Sequence, residues 1–518
     1  YAQSSPDIPD PIFILTLKCP ICMRHTAYCV TRSATYNHFY RNLKSKELEI
    51  QECSLALYLD LYMSNRVKYG VLFLVLAQIA VIAFLFVAPR LVNALPGEYR
   101  VRLARVPVVE SLLKIGVTPL PTALPAPVGV ADRPIISIPA VPASTATPTS
   151  VPIDSPIIAT TESEFAEQTP QPTLTPPPTA TPSPTSTPKP LPRQARVDDL
   201  KIIAQGFNNC GPANLAINLN FYGNPTTQGE AAAFLKPNSE DRNVSPWQMV
   251  DYVNEQTDLR AFVGSGGDLE LIKRFLANGL PIVIEKGYEL ESEGWLGHYL
   301  TMFAYDDDKQ EFLSLDTNLG PWDSSGRVDS YEMVEHYWQQ FNYTFFVVYP
   351  PEKESLVQDL LGPDMVDTVV MWQKAAERAQ AEIEADPENA FTWFNLGESL
   401  TRLGELSGEM PYYESGASAF DQARTLGIPP RIVWYQFRPY IAYMKVGRYQ
   451  DILDLAEVTL SSQGGRNVEE TYLYQGHALA FLGDGQGAID AYEQALRLNK
   501  YFYPAQWALD AITGTGGG

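Results

Sequence analysis

The stretch QGFNNCGPANLAINLNFYG, at residues 205–223, decides the fold of the part of the chain that surrounds it. Pro212 suits the first turn of a helix, apolar residues recur behind it, and Gly223 is a natural helix end. The pattern therefore predicts a helix that begins at Cys210 or directly after it. The N–H groups and the dipole of a helix N-terminus stabilise a thiolate, which makes Cys210 a candidate nucleophile.

A second stretch, GWLGHYLTMFAYDDDKQEFLSLDTN at residues 294–318, predicts a β-hairpin. A buried strand begins at His298, a polar turn follows, and a return strand ends just before Asp316. Such a hairpin brings His298 and Asp316 to the same open end. Asp316 can then orient the imidazole, with Asn318 as the alternative, while the other ring nitrogen faces the thiol.

Gln205 and the cysteine count add to this candidate site. The side-chain amide of Gln205 lies five residues before the thiol and can join the backbone N–H of Cys210 in holding an oxyanion. Cys210 is also the only cysteine between residues 54 and 518, so this part of the chain offers it no disulfide partner. Each residue alone has an ordinary structural explanation, such as a small buried side chain or a turn aspartate. Their combination favours catalysis.

The two stretches resemble the peptidase C39-like family of papain-fold domains, and the sequence between them does so too. SPWQMVDYVNE at 245–255 predicts a helix, and DLELIKRFLANGLPIVIE at 268–285 predicts a helix that leads into a strand. The resemblance covers residues 197–350 and implies an α+β papain-like domain, at 194–351, with cysteine peptidase activity. It assigns the roles of oxyanion donor, nucleophile, general base and orienting carboxylate to Gln205, Cys210, His298 and Asp316.

An uncharged apolar run, YGVLFLVLAQIAVIAFLFVA at residues 69–88, has the length that spans a bilayer core. We therefore expect a single transmembrane anchor at 66–90, with the C-terminal domains outside the cytoplasm of a bacterial cell. From Met63 the sequence has the form of a signal anchor, and a cleaved signal is the alternative. Residues 1–65 are then a segment of uncertain status, and 91–116 a short juxtamembrane segment.

Residues 117–193 are dominated by threonine, proline, serine and alanine, as in TPQPTLTPPPTATPSPTSTPKPLP. Proline fixes φ and removes backbone donors, and the segment has few apolar residues to bury. We therefore expect a disordered, partly extended stalk that separates the folded domains from the anchor.

The region 352–514 has helical periodicity and a recurring skeleton of aromatic, glycine and alanine positions, which begins anew at Trp393, Tyr440 and Tyr472. This pattern resembles tetratricopeptide repeats and predicts an all-α domain of about three repeats. One interpretation is a groove that binds a peptide or a protein partner. The other is a scaffold that packs against the peptidase domain, and the sequence leaves both open.

Composition and charge restrict the function further. The chain has 518 residues, enough for two to four folded units, and a net charge of −22. So acidic a chain is a poor match for nucleic acid, and no nucleic-acid partner is expected. The N-terminal pair in CPIC, Cys19 and Cys22, has no second close ligand pair, so neither a metal nor a cofactor is expected.

These features predict a multidomain protein: one transmembrane helix, a disordered Thr/Pro-rich stalk, an α+β papain-like domain and an all-α tetratricopeptide-type domain. The predicted function is that of a membrane-anchored, extracytoplasmic peptidase that hydrolyses peptide bonds with a Cys-His-Asp triad. An amidase or an acyl transferase could use the same residues. The alternatives from another class are a non-catalytic papain-fold and repeat binding module and a surface scaffold.

Overall fold

The computed structural model describes residues 65–93, 121, 123–127, 190–290 and 294–515. The N-terminal cysteines, most of the predicted stalk and the predicted juxtamembrane segment beyond residue 93 lie outside these ranges. The chain divides into two compact units, Tyr1–Val87 and Ala88–Gly518, and the second contains both C-terminal domains.

The residues predicted as an anchor form helix α1, Asn65–Asn93, and most of its described side chains are exposed. Within the described residues, however, no helix combines the length and the apolar character that crossing a membrane requires. The expectation of a transmembrane helix at 66–90 is therefore not supported by the structure. A location outside the cytoplasm stays a prediction.

The α+β domain is built on one antiparallel sheet. The strand order is β2-β7-β3-β4-β5-β6, and the short strand β1 pairs with the end of β4 that β3 leaves uncovered. The strands are β1 Gln194–Arg196, β2 Arg260–Gly264, β3 Ile282–Leu290, β4 Gly294–Asp306, β5 Glu311–Leu315, β6 Arg327–Ser330 and β7 Phe345–Tyr349.

Helices cover both faces of this sheet, because its central strands are apolar on both sides. In β3, Ile282 and Ile284 point into one core and Val283 into the other. Helices α5 and α6 cover the first face, whereas α2, α3 and α4 cover the second. These helices are α2 Cys210–Phe221, α3 Gln228–Leu235, α4 Pro246–Gln256, α5 Leu269–Ala277 and α6 Tyr331–Gln339.

The helices and the hairpin predicted from the sequence are present. Ser245 caps α4 with a capping box, and the side chain of Asp268 accepts from Leu271 N at the start of α5. β4 and β5 pair as an antiparallel hairpin around a turn at 307–310, with a register shift between Met302 and Ala304. Strand β4 begins at Gly294, four residues before the predicted start at His298. The reason is that the first part of β4, from Gly294 to Met302, pairs with the whole length of β3.

The remainder of the chain is an all-helical domain, consistent with a repeat domain. Gly397 lies where α10 and α11 touch, and a Cβ there would come within 2.7 Å of the Phe420 ring. The assignment to tetratricopeptide repeats stays a prediction. The helices are α7 Glu354–Leu361, α8 Pro363–Val366, α9 Thr368–Ala385, α10 Ala390–Ser407, α11 Met410–Thr425, α12 Arg438–Lys445, α13 Tyr449–Ser461, α14 Glu469–Phe481, α15 Gly485–Leu498 and α16 Tyr503–Thr513.

Buried hydrogen bonds attach the helical domain to the α+β domain. Asn342 Nδ2 donates to Ser399 Oγ at 2.9 Å, and Asn395 Nδ2 donates to the backbone oxygen of Gln339 at 2.7 Å. Both asparagines are almost fully buried, so each lost partner would leave a buried polar group unpaired. The two domains therefore hold a defined relative position.

Helix α2 is tied to β4 by a buried polar network. Asn214 Nδ2 donates to the backbone oxygen of Tyr299 at 3.0 Å, and Thr301 Oγ1 donates to Asn214 Oδ1 at 2.8 Å. Asn218 Nδ2 donates to the same Thr301 hydroxyl at 3.0 Å. Since Asn214, Asn218 and Thr301 are fully buried, water cannot replace these bonds.

Thr301→Val should therefore destabilise the protein by about 1–3 kcal/mol, because Asn214 Oδ1 loses its donor inside the core. Chemical denaturation would measure the free energy of unfolding. Thr368→Val, at an exposed helix start, is the matched control and should change it little. Equal stability of the two variants would contradict the importance of this network.

Candidate active site

Cys210 is the first residue of α2, where the sequence placed it. Its thiol is free and half-buried. Asn209 at the N-cap makes no side-chain hydrogen bond to the helix, so no cap competes for the N–H groups of the first turn. Asn214 Nδ2 also donates to the backbone oxygen of Cys210 at 2.9 Å, which fixes the residue on the helix. The helix dipole therefore acts on the thiol from a defined position.

His298 and Asp316 meet at the open end of the β4–β5 hairpin. His298 Nε2 lies 3.1 Å from Asp316 Oδ1, and both side chains are almost completely buried. His298 also forms a side-chain hydrogen bond with Cys210. Because Nε2 is occupied by Asp316, Nδ1 is the nitrogen left for the thiol. The structure thus brings three of the predicted site residues together in the order that the sequence suggested.

The histidine is held in its charged form. Burial alone lowers the pKa of His298, but the hydrogen bonds and charges of Asp316 and Cys210 outweigh burial and raise this pKa to about 9. Near neutral pH the imidazole is therefore cationic. A cationic imidazole beside the thiol stabilises a thiolate, the form of cysteine that attacks carbonyl carbon.

Asp316 is held in its ionised form. Burial raises its pKa, but the hydrogen bond and charge of His298 and two backbone N–H groups lower it to about 2. Those N–H groups belong to Asn318 and Leu319, which donate to Oδ1 at 2.9 and 3.0 Å. Asn318 therefore supports Asp316 through its backbone, and its own side chain is exposed.

Gln205 is held by the residue after Asp316. Thr317 Oγ1 donates to Gln205 Oε1 at 2.8 Å, and the backbone N–H of Gln205 donates to the Thr317 oxygen at 2.8 Å. Because the Oε1 atom accepts this bond, the Nε2 amide remains available as a donor. This is the orientation that an oxyanion donor needs, and the backbone N–H of Cys210 is the second candidate donor.

A comparison with protein families identifies this part of the chain. Residues 191–345 match the model of the Peptidase_C39 like family. They form a peptidase C39-like domain. This range contains Gln205, Cys210, His298 and Asp316, and the antiparallel sheet with helices on both faces agrees with a papain-like fold.

Comparisons with individual proteins add less. Among solved structures, the chain is similar to a crystal structure from Bacillus anthracis provisionally described as a C39-like peptidase. The two share 14% sequence identity, and the similarity covers 30% of this chain and 96% of that chain with a TM-score of 0.25. No curated protein matches this chain significantly.

The C39-like domain also contains a buried lysine that sequence reasoning did not select. Lys286 is the cross-strand partner of His298, and its ammonium lies 4.8 Å from the centre of the Tyr337 ring. Burial lowers the pKa of Lys286, while the charges of Asp329 and Asp316 oppose that change. The signal in the sequence was the Glu-Lys pair directly after the apolar start of β3, since buried charges are rare without a function or a partner.

Glu285 is a buried carboxyl group near the thiol. The Tyr299 hydroxyl lies 2.9 Å from both Glu285 Oε1 and the Val244 oxygen, although it has only one hydrogen to donate. Burial raises the pKa of Glu285 well above its usual value, and a thiolate at Cys210 would raise it further. A protonated Glu285 can donate to Tyr299, which in turn donates to Val244. Glu285 is then uncharged and does not oppose the thiolate.

The helical domain contributes an aromatic side chain beside strand β4, which contains His298. The backbone of Gly297, adjacent to His298, forms a hydrogen bond with Tyr435, and a Cβ at Gly297 would come within 3.1 Å of the Tyr435 ring. Burial raises the pKa of Tyr435 to about 12, and a thiolate at Cys210 adds to this rise. Arg431 Nη1 donates to the Trp295 oxygen at 3.3 Å and fastens the same contact. Tyr435 could not be selected from the sequence, because it lies more than a hundred residues after His298 and belongs to another domain.

Metal chemistry has no candidate centre in this region. Across the described ranges, no group of three or more histidine, cysteine, aspartate or glutamate side chains is arranged to bind a metal ion. The histidine and cysteine at the site contact each other, and Asp316 is the one carboxylate among the described residues that is hydrogen-bonded to that histidine.

The raised pKa of His298 predicts a pH-dependent stability. A group whose pKa rises on folding stabilises the protein fully below its unfolded value of about 6.5, and this contribution is lost as the pH rises through about 9. Between pH 6 and pH 10 the wild-type protein should lose of the order of 3 kcal/mol more unfolding free energy than His298→Gln. Denaturant titrations at both pH values would measure this difference.

His336→Gln, which removes an exposed histidine of α6, is the control and should keep the wild-type pH dependence. If His298→Gln loses as much stability between the two pH values as the wild type, the buried imidazolium is refuted.

The position of Tyr435 predicts restricted access to Cys210. Tyr435→Ala should raise the alkylation rate of Cys210 by a bulky peptidyl reagent about tenfold, because the ring beside Gly297 is removed. The rate with small iodoacetamide should change little. Tyr501→Ala, at an exposed position, controls for general effects. An unchanged ratio of the two rates would show that Tyr435 does not border the path to the thiol.

Proposed function

We propose that the C39-like domain is a cysteine peptidase that hydrolyses peptide bonds with Cys210 as nucleophile. The observation that carries this proposal is the buried chain of hydrogen bonds from Asp316 through His298 to Cys210 at the start of α2. A structural histidine would not need a buried aspartate on one nitrogen and a free thiol on the other. The raised pKa of His298 and the lowered pKa of Asp316 favour the charges that their proposed roles require.

The reaction begins from a thiolate at Cys210 and an imidazolium at His298. The thiolate sulfur forms a bond to the carbonyl carbon of the substrate, and the carbonyl oxygen becomes an oxyanion. The Gln205 amide and the Cys210 N–H donate to this oxygen. The C–N bond then breaks, and the Nδ1 proton of His298 passes to the leaving amine. The product of this half-reaction is a thioester at Cys210.

Water completes the cycle. Neutral His298 takes a proton from water through Nδ1 while the water oxygen attacks the thioester carbon. The C–S bond breaks, and the carboxylic product leaves with the thiolate and imidazolium restored. Asp316 stays ionised throughout and keeps the ring oriented through Nε2. An amine that replaced water would give acyl transfer at the same residues, whereas water acting on a non-peptide amide substrate would give amidase activity.

The helical domain has a supporting role in this proposal. Its Tyr435 lies beside the strand that carries His298, so the domain is expected to contact the substrate peptide next to the scissile bond. A protein partner in the groove of the helices is a further part of the proposal. The net charge of −22 favours basic or neutral substrate segments over acidic ones.

Thiol reactivity tests the proposed function. At pH 6, iodoacetamide should alkylate Cys210 quickly in the wild-type chain and at least tenfold more slowly in His298→Ala, because the thiolate loses its counterion. Peptide mapping by mass spectrometry assigns the label to Cys210 rather than to the N-terminal cysteines. Cleavage of unfolded casein should disappear in Cys210→Ala.

His477→Ala, a histidine of the helical domain, is the matched control and should leave both readouts unchanged. The proposal fails if Cys210 reacts at the same rate with and without His298, or if casein cleavage survives in Cys210→Ala.

A further inference from the structure

A short piece of the predicted stalk lies against the helical domain. Leu124 is only 3% exposed and belongs to the same hydrophobic core as Ile428 and Tyr443. Its backbone N–H donates to the Ile428 oxygen at 3.0 Å. Residues 123–127 have no helix or strand of their own, so this contact is made by an irregular segment.

Arg424 holds the other side of this segment. Its Nε donates to the backbone oxygen of Pro125 at 2.7 Å. Arg424 is itself almost completely buried, and its Nη1 donates to Asp451 Oδ1 at 2.7 Å and to the Tyr443 hydroxyl at 3.1 Å. Because these partners fix the guanidinium before the peptide arrives, its Nε is a preorganised donor.

The arrangement matches a Leu-Pro dipeptide. The backbone N–H of the leucine donates to the Ile428 oxygen, and the carbonyl oxygen of the following proline accepts from Arg424 Nε. Proline has no N–H, so no donor between these two bonds is left unpaired in a buried position. The leucine side chain fills an apolar position in the core, and its burial adds to the affinity. A charged side chain in place of Leu124 would have to be buried among the apolar side chains of this core.

We propose that the corner formed by the end of α11 and the turn at Gly427 and Ile428 is a binding site for extended Leu-Pro peptides. The chain's own residues 123–125 occupy this site. The site does not depend on the peptidase proposal, since none of its residues belongs to the catalytic group.

The described residues at both ends of the Thr/Pro-rich segment are attached to the folded domains. Its other end is also attached, because the Tyr305 hydroxyl donates to the Pro192 oxygen at 2.6 Å and the Asp307 N–H donates to the Arg193 oxygen at 2.8 Å. Residues 126–191 therefore connect two fixed points on the same unit. In this proposal the distance between the folded domains and any anchor is set by the residues before 123. Most of the predicted stalk over 117–193 lies outside the described residues, so its disorder stays a prediction.

The occupant comes from the same chain because the connection raises its local concentration. A covalent connection gives a tethered peptide an effective concentration of the order of a millimolar or less, which fills even a weak site. Leu120-Pro121 offers the same dipeptide four residues earlier and provides a matched comparison.

The test uses the full chain and a fluorescent peptide with the sequence TALPAPV, residues 122–128. Leu124→Asp should empty the site, so this variant should bind the peptide at least tenfold more tightly than the wild type in fluorescence anisotropy. Leu120→Asp should bind as weakly as the wild type, because its Leu124 still competes. Two altered peptides leave the protein untouched: one with aspartate for leucine and one with N-methyl leucine. Both should lose binding, since they remove the apolar contact or the N–H donor.

Three results would overturn the proposal. The first is no peptide binding to Leu124→Asp, and the second is equal binding of the N-methyl peptide. The third is a wild-type dimer that Leu124→Asp converts to a monomer in light scattering, because the occupant would then come from a second copy. A wild-type far-UV circular dichroism spectrum and a cooperative thermal unfolding transition in Leu124→Asp would show that the variant is folded, independently of the peptide experiment.

Discussion

The buried hydrogen bonds between Asn214, Asn218 and Thr301 hold together the two elements that form the candidate active site of the C39-like domain. They join helix α2, which begins with Cys210, to strand β4, which contains His298. A helix packed by apolar contacts alone could slide or rotate by a fraction of a turn, and a shift of about 1 Å is enough to separate a nucleophile from its base. Directional bonds in a buried site remove that freedom, because any shift leaves a polar group unpaired.

Two buried carboxyl groups near the site, Asp316 and Glu285, are expected to have different charges. His298 and Asp316 form a pair in which each group stabilises the ionised form of the other, and the backbone N–H groups after β5 add to the effect. Glu285 is also buried, and none of the residues that the structure describes gives it a cationic partner, so it is expected to be neutral. The same low-dielectric interior thus keeps one carboxylate charged and another protonated. This division allows a thiolate to form without a second negative charge beside it.

The helical domain makes two further contacts. It places Tyr435 beside the strand of His298, and it holds a piece of the predicted stalk through Arg424 and Ile428. The proposed control of substrate access and the proposed peptide site therefore both involve this domain. A change in the packing of the helices would affect both.

The sequence by itself determined the local elements and the chemistry they carry. The glycine and proline around Cys210 set the start of α2, the polar turn set the β4–β5 hairpin, and the hairpin alone was sufficient to pair His298 with Asp316. These inferences succeed because capping, turn formation and strand alternation depend on residues close together in the sequence. The tertiary structure decided that Glu285 and Lys286 lie near the site, that Tyr435 packs beside Gly297 and that Leu124 is buried. Those outcomes depend on how separate elements pack, and packing is a property of complementary surfaces that no short stretch of sequence contains.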